Sequence, residues 1–324
     1  MPTSSTRSRR RVRGTLFVGS SAALARADEL IAAHAALRPV RTVTARRGAR
    51  AWQRSVDDVA AVVLLANPEL PVAEAVEGTH LLAGDRGVPV GVLPDTPRAL
   101  AAAAAVHRRM ATGSRLHAGP IALLSSREDH IRARAEALAT ILDGGPAPFR
   151  HLPSGQLDRR DLLRALARGP GLVLYSGRGD ARGWSGYGRL QSWELDQPDG
   201  SPMGAIVSLS CSGSARLGSM HGLSEVAVAT GAAASALGAI DTVPSAVDEV
   251  LGSTLAARIV GGAGSLAQAL TPQIPELQRF RISGDPLAPF VGARGSRAAL
   301  ARVVAPGVGD PLPPVTWGGV FQTD

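Results

Sequence analysis

Short runs of aliphatic and β-branched residues alternate with alanine-rich segments along most of this chain, and no hairpin signal separates one run from the next. TLFVG (15–19), VRTVTA (40–45), AVVLLA (61–66) and VPVGVLP (88–94) read as strands, and the segments between them as helices. Strands that alternate with helices pair in parallel and carry helices on both faces. MATGSRLHAGP (110–120) breaks the pattern and predicts a linker. A second series follows. IALLSS, FRHLP, GLVLYSG, AIVSLSC, ALGAIDTV and FRISG read as strands, interleaved with helical segments such as REDHIRARAEALATILDG and SAVDEVLGSTLAARIV. The expected fold class is α/β, with two parallel-sheet α/β/α layers. The expected divisions are a basic tail over 1–13, a Rossmann-like subdomain over 14–112, a second domain over 116–292 and a Pro/Gly-rich extension over 293–324.

The charge narrows the partners. Arg7, Arg9, Arg10, Arg11 and Arg13 supply five of the net +8, leaving +3 for the rest. The tail could contact nucleic acid or a membrane surface, but aromatics are only 3% and do not interleave with basic residues. That composition argues against nucleic-acid binding. SRRRVRGTLFVGSSAALARA is similar to a twin-arginine export signal; TLFVG reads better as a first strand, and helical spacing runs on without a cleavage site. The expectation is therefore a cytoplasmic protein with no membrane span. All 35 basic residues are arginine and Asn67 is the single asparagine, a bias of GC-rich bacterial coding.

Ligands of open parallel sheets bind beyond the carboxyl ends of the strands. Three such ends are rich in small or polar residues: SGRGD after GLVLY, CSGS after AIVSLS, and DTVPSAVDE after ALGAI. Gly177 and Gly179 would let the backbone approach a ligand closely. Cys211, the one cysteine, is followed by Ser212 and Gly213. It reads either as a small buried hydrophobe or as a nucleophile with backbone N–H groups beside it.

The order of these pieces resembles the caspase-fold (clan CD) cysteine peptidases, in particular their gingipain branch and the bacterial CHAT domains. Tyr175, Gly177 and Gly179 match a strand ending Y-x-G-H-G. Leu209, Ser210, Cys211 and Gly213 match the strand that ends at the nucleophile. VATGAAASALGAIDTV and RISGDP are similar to the later helix-to-strand step and the G-D-P turn. The resemblance covers about residues 120–290 and implies a caspase-like domain over 116–292. It also implies Cys211 as nucleophile, with the amides of Cys211 and Gly179 as oxyanion donors and Gly177, Ser212 and Gly213 around them. One residue departs from the pattern. Arg178 stands where those families carry the histidine that protonates the leaving amine.

A guanidinium does not give up a proton at neutral pH, and losing a general acid or base costs ~10²–10⁴ in rate. Arg178 could instead stabilise a thiolate or an anion by its charge. His221, ten residues past Cys211, could replace the missing proton carrier, or simply cap a loop or helix. Asp180 and Arg182 could pair with each other or with substrate, and Trp184 and Tyr187 could form a stacking wall or an ordinary packed loop. Asp241 or Asp248, if aimed into the pocket, would favour a basic substrate residue; by default they are solvated-loop or helix-start acids. Asp285 is expected to hold a turn. His34, His80, His107, His117, His130 and His151 carry no expected role.

Without lysine there is no P-loop, without H-E-x-x-H or clustered cysteines no zinc motif, and GWSGYG is not a serine-hydrolase elbow. No cofactor or metal is expected. Two readings stand: a peptidase hydrolysing peptide bonds through Cys211, impaired by Arg178, or an inactive pseudopeptidase that binds peptides or regulates. Either implies a polypeptide substrate or partner, and an activating protein partner fits both.

Overall fold

The computed structural model describes residues 14–45, 51–56, 58–66, 79–83, 86–112, 119–215, 221–272 and 274–303. The expected basic tail, most of the expected linker and the chain beyond 303 lie outside them. The strands are β1 (Gly14–Gly19), β2 (Val40–Thr44), β3 (Val59–Ala66), β4 (His80–Ala83), β5 (Arg86–Pro94), β6 (Ile121–Ser125), β7 (Phe149–Pro153), β8 (Leu172–Ser176), β9 (Gly179–Asp180), β10 (Gly183–Trp184), β11 (Leu190–Gln191), β12 (Met203–Leu209), β13 (Ala233–Ala239) and β14 (Phe280–Gly284). The helices are α1 (Ser21–Arg26), α2 (Asp28–Ala35), α3 (Pro97–Ala111), α4 (Asp129–Asp143), α5 (Arg159–Leu166), α6 (Gly186–Arg189), α7 (Leu223–Ala229), α8 (Ser245–Val260), α9 (Leu266–Ala269) and α10 (Ser296–Arg302).

The two series of strands join in one continuous sheet, ordered β2-β1-β3-β5-β14-β13-β12-β8-β6-β7, with β4 added to β5. Pairing is parallel except for β4 on β5 and β14 on β13. The sheet is mixed rather than purely parallel: β14, reached from β13 through α8, α9 and a short 3₁₀ turn, runs antiparallel to β13 and parallel to β5. The strands are covered on both faces. Leu124, Val173 and Ile206 pack against α2, α3, α5 and α7 through Leu30, Leu100, Leu162 and Leu223. On the opposite face Leu123, Leu174 and Val207 pack against α4 and α8 through Leu138 and Leu251. Leu123 and Leu124 fall in different layers because successive strand residues point to opposite faces.

Where the two series meet, β14 pairs with β5 through Ile282↔Gly91 and Ser283↔Val92. Gly91 is required there by close approach: a Cβ would lie 2.1 Å from the Gly284 carbonyl oxygen and 2.6 Å from the Pro286 ring. Beside this seam, Asp285 does hold the expected turn, Oδ1 accepting from the Leu287 N–H at 2.9 Å. It also does more. Its Oδ2 accepts from His34 Nε2 on α2 at 2.5 Å and from His107 Nε2 on α3, and all three side chains are fully buried. Burial pushes the Asp285 carboxyl up, but the two imidazoles more than reverse this and hold it well below the usual carboxylate range.

The seam yields a stability prediction. Gly91→Ala drives a methyl into backbone and should cost about 1–3 kcal/mol or more. Urea unfolding followed by tryptophan fluorescence would show a lowered midpoint, and an unchanged midpoint would contradict the close approach.

Candidate functional site

Strands β8 and β12 lie side by side in parallel register, Tyr175 opposite Ser208 and Ser176 opposite Leu209. Gly177 N–H continues the ladder by donating to the Leu209 carbonyl at 3.2 Å. The two chain segments expected to carry chemistry therefore leave the sheet together.

The glycine pair turns out to answer a packing demand. Neither residue has a positive φ. A Cβ at Gly177 would sit 2.2 Å from the Tyr175 hydroxyl, and one at Gly179 would sit 2.8 Å from Ser210 Oγ. Between them the Arg178 carbonyl accepts from the Tyr175 hydroxyl at 2.7 Å and from Ser185 N–H at 2.9 Å. This backbone is fixed, and the Arg178 side chain projects outward. Its Nε meets Glu128 Oε1 at 3.4 Å, with the guanidinium side chain 68% exposed. An exposed pair of this kind contributes ~0–1 kcal/mol, so its significance is directional.

Cys211 sits two residues past β12 and is half-buried, its thiol donating to the Val243 carbonyl at 3.7 Å. Ser212, immediately after it, adopts a left-handed φ of 57°, a conformation that costs a non-glycine residue ~1 kcal/mol or more. The turn is held by Ser212 N–H donating to the Asp241 carbonyl and by Ala215 N–H donating to the Ser212 carbonyl, both at 3.0 Å. Ser214 N–H donates to the Ala239 carbonyl, and Gly213 lies buried in the same turn. The Cys211 N–H has no partner among the described residues, which leaves it able to meet an oxyanion. Gly177 and Ser212 spend their N–H groups on the protein itself. Gly179 is tied into the β9–β10 pair opposite Trp184.

His221 is oriented by Glu225, its Nδ1 lying 2.6 Å from Oε2 at the start of α7, and Arg281 closes on the other Glu225 oxygen at 3.5 Å. No hydrogen bond joins His221 to Cys211.

Other expected roles fare differently. Trp184 and Tyr187 are core residues, not an exposed wall. Trp184 stacks on Tyr175 with centroids 4.4 Å apart and donates through Nε1 to Ser208 Oγ at 2.9 Å. Tyr187, at φ 58°, accepts from the Ser125 N–H and donates to the Leu152 carbonyl. Asp180 does not pair with the Arg182 guanidinium. Its Oδ1 accepts from the Arg182 and Gly183 N–H groups, and Arg189 approaches its Oδ2 at 3.5 Å. Asp241 is exposed and its Oδ1 accepts from the Thr242 N–H. Asp248 is buried in the first turn of α8 with Oδ1 unpaired, and burial pushes its carboxyl up to about 6 against the pull of Arg134. That arginine, from α4, binds Ser176 Oγ at 3.0 Å and Ser245 at the start of α8. Glu128 and Arg134 escaped the sequence reading, and Ser176, inside the SGRGD strand end, was given no role in it. The strand-end rule that picked out three loops applies equally to SSREDH after β6, which contains Glu128.

No family model matches the chain and no curated protein does. Solved structures do. The Arg-specific cysteine proteinase gingipain R (RgpB) aligns over 87% of this chain and 79% of its own, with a TM-score of 0.67. The fold is caspase-like. The complex of Porphyromonas gingivalis RgpB pro- and mature domains gives the same TM-score over 86% of this chain and 79% of its own. A structure described only as a protease gives 0.64 over 85% and 78%. Identities are 10–12%, so the likeness carries the caspase-like fold and not the activity. Among the described residues, no helix is long and apolar enough to cross a membrane.

Asp248 gives a pH prediction. Its folded-state carboxyl is raised, so its relative stabilisation is present below pH about 4 and lost as pH rises through about 6. Asp248→Asn should therefore stabilise the protein by about 1–3 kcal/mol at pH 8, with the gain fading below pH 4. Urea titrations at both pH values check this; equal gains at both would point to packing instead.

Proposed function

We propose that this chain is a pseudopeptidase: a caspase-like module that binds a polypeptide at the ends of β8 and β12 and hydrolyses it poorly or not at all. The observation that carries this is Arg178, held between two obligatory glycines with its side chain turned to Glu128. A cysteine sulfur can add to a peptide carbonyl without help from an acid. The tetrahedral adduct, however, expels the better leaving group, which is the thiolate unless the amine nitrogen is protonated. With arginine in the proton carrier's place, addition reverses and the peptide bond survives. The Cys211 N–H, without a partner among the described residues, still offers an anion-stabilising contact. The partner is a polypeptide segment or protein, a reading supported by the fold's likeness to peptidases, one of them solved with its pro-domain.

A second reading rests on the His221–Glu225 pair. A carboxylate on Nδ1 fixes the tautomer and leaves Nε2 as the working nitrogen, the arrangement of a catalytic base. In that reading the chain is a cysteine endopeptidase with a relocated proton carrier.

Wild type, Arg178→His, His221→Ala and Cys211→Ala would be compared for alkylation by peptide-derived electrophiles and for cleavage of a peptide library. The expected result is no cleavage by wild type, undiminished labelling in His221→Ala, and cleavage gained in Arg178→His. Cleavage by wild type that His221→Ala abolishes, on the order of 10²-fold or more, would replace the first reading with the second.

A further inference from the structure

The buried junction of His34, His107 and Asp285 lies outside the crevice and has no part in the reading above. One donor atom from each residue falls within 4.8 Å of the others, and all three side chains are fully buried. The donors come from three elements far apart in sequence: α2, α3 and the turn after β14. Two imidazole nitrogens and a carboxylate oxygen form a donor set that suits zinc and its first-row neighbours and does not suit calcium or magnesium.

The outer contacts aim these donors inward. His34 Nδ1 lies 3.4 Å from the buried Thr15 hydroxyl on β1, which orients the ring so that Nε2 faces the junction. Asp285 Oδ1 is held by the Leu287 N–H at 2.9 Å, leaving Oδ2 as the converging oxygen. His107 stacks at a tilt against His34, ring centroids 3.8 Å apart, and its Nε2 points at the same oxygen. For His34 this second-nitrogen contact is the kind by which metal sites aim a ligating histidine; His107 Nδ1 is buried without a partner among the described residues.

We propose that His34, His107 and Asp285 form a structural site for a divalent transition metal, zinc by preference, that fastens the N-terminal strands and helices to the last strand of the sheet. The imidazoles now close on the carboxylate at hydrogen-bond distance. Three side chains leave the fourth position of a tetrahedral zinc to a water; with bonds near 2.0–2.1 Å the ligand atoms lie about 3.3 Å apart, so each ring withdraws by roughly an ångström when the ion enters. With all three ligands buried, the ion is acquired during folding, and its binding free energy becomes part of the folding free energy. The site is structural because the enclosing core leaves no route for a substrate.

The test uses full-length protein without an affinity tag, refolded with and without one equivalent of zinc and then desalted. Mass-spectrometric metal analysis should find about one zinc per chain after refolding with it. X-ray absorption at the zinc edge should show two imidazoles and a carboxylate, and the thermal midpoint should exceed that of the zinc-free sample. Thr15→Val, which keeps the side-chain shape, should weaken zinc binding on the order of tenfold, and His107→Gln should abolish it. Should His107→Gln not fold, the absorption spectrum of wild type still decides. Less than a tenth of an equivalent retained by folded wild type, or a zinc spectrum without two imidazoles, would overturn the proposal.

Discussion

The register between β8 and β12 is what the rest of the site depends on. Tyr175 lies opposite Ser208, and the ladder runs one step past the strand ends through the Gly177 N–H and the Leu209 carbonyl. A slip of one residue would bury the wrong set of side chains on both strands at once. Tyr175, Trp184 and Ser208 show the register being used. The tyrosine stacks on the tryptophan, the tryptophan donates to the serine, and the tyrosine hydroxyl holds the Arg178 carbonyl. The position of the arginine and the position of the cysteine are thus two consequences of one pairing.

That framework explains how a caspase-like site can keep its shape while its chemistry changes. The loop between Gly177 and Gly179 is fixed by backbone hydrogen bonds and by the absence of Cβ atoms, neither of which involves the side chain at 178. Exchanging a histidine for an arginine there leaves the packing alone. The cysteine turn is equally self-supporting, with Ser212 held at positive φ by bonds to its neighbours and not to any catalytic partner. The atoms that fix the fold of this loop are not those of the side chain at 178.

Much of the architecture was legible because it is written locally. The unbroken apolar runs of β6 and β8, buried on both faces, and the cap of α3, where Thr96 accepts from the Ala99 N–H just ahead of Pro97, need only neighbouring residues. The joining of both series into one sheet was not legible, since it depends on β14 meeting β5 across the chain. The aromatic residues left two readings open for a related reason. GWSGYG has the composition of a surface loop, yet Trp184 and Tyr187 point inward because β9, β10 and β11 fold the segment back on itself. Glu128 was overlooked on a strand end the same rule covered. His34 and His107 belong to no motif, and Asp285 stood out only in the G-D-P turn; the seam alone brings the three together.

The seam also has a cost in time. The edge of β5 that receives β14 is complete once residue 94 has been made, but its partner is encoded roughly 190 residues later. At ribosomal speeds of about 5–20 residues per second that is an interval of roughly 10–40 s. Throughout it, a nascent N-terminal layer rich in Val, Leu and Ala offers an unpaired strand edge to whatever is nearby. Neither half can hide its central edge alone; each is finished only by the other. For a chain built this way, the vulnerable moment comes during synthesis and not in the mature protein.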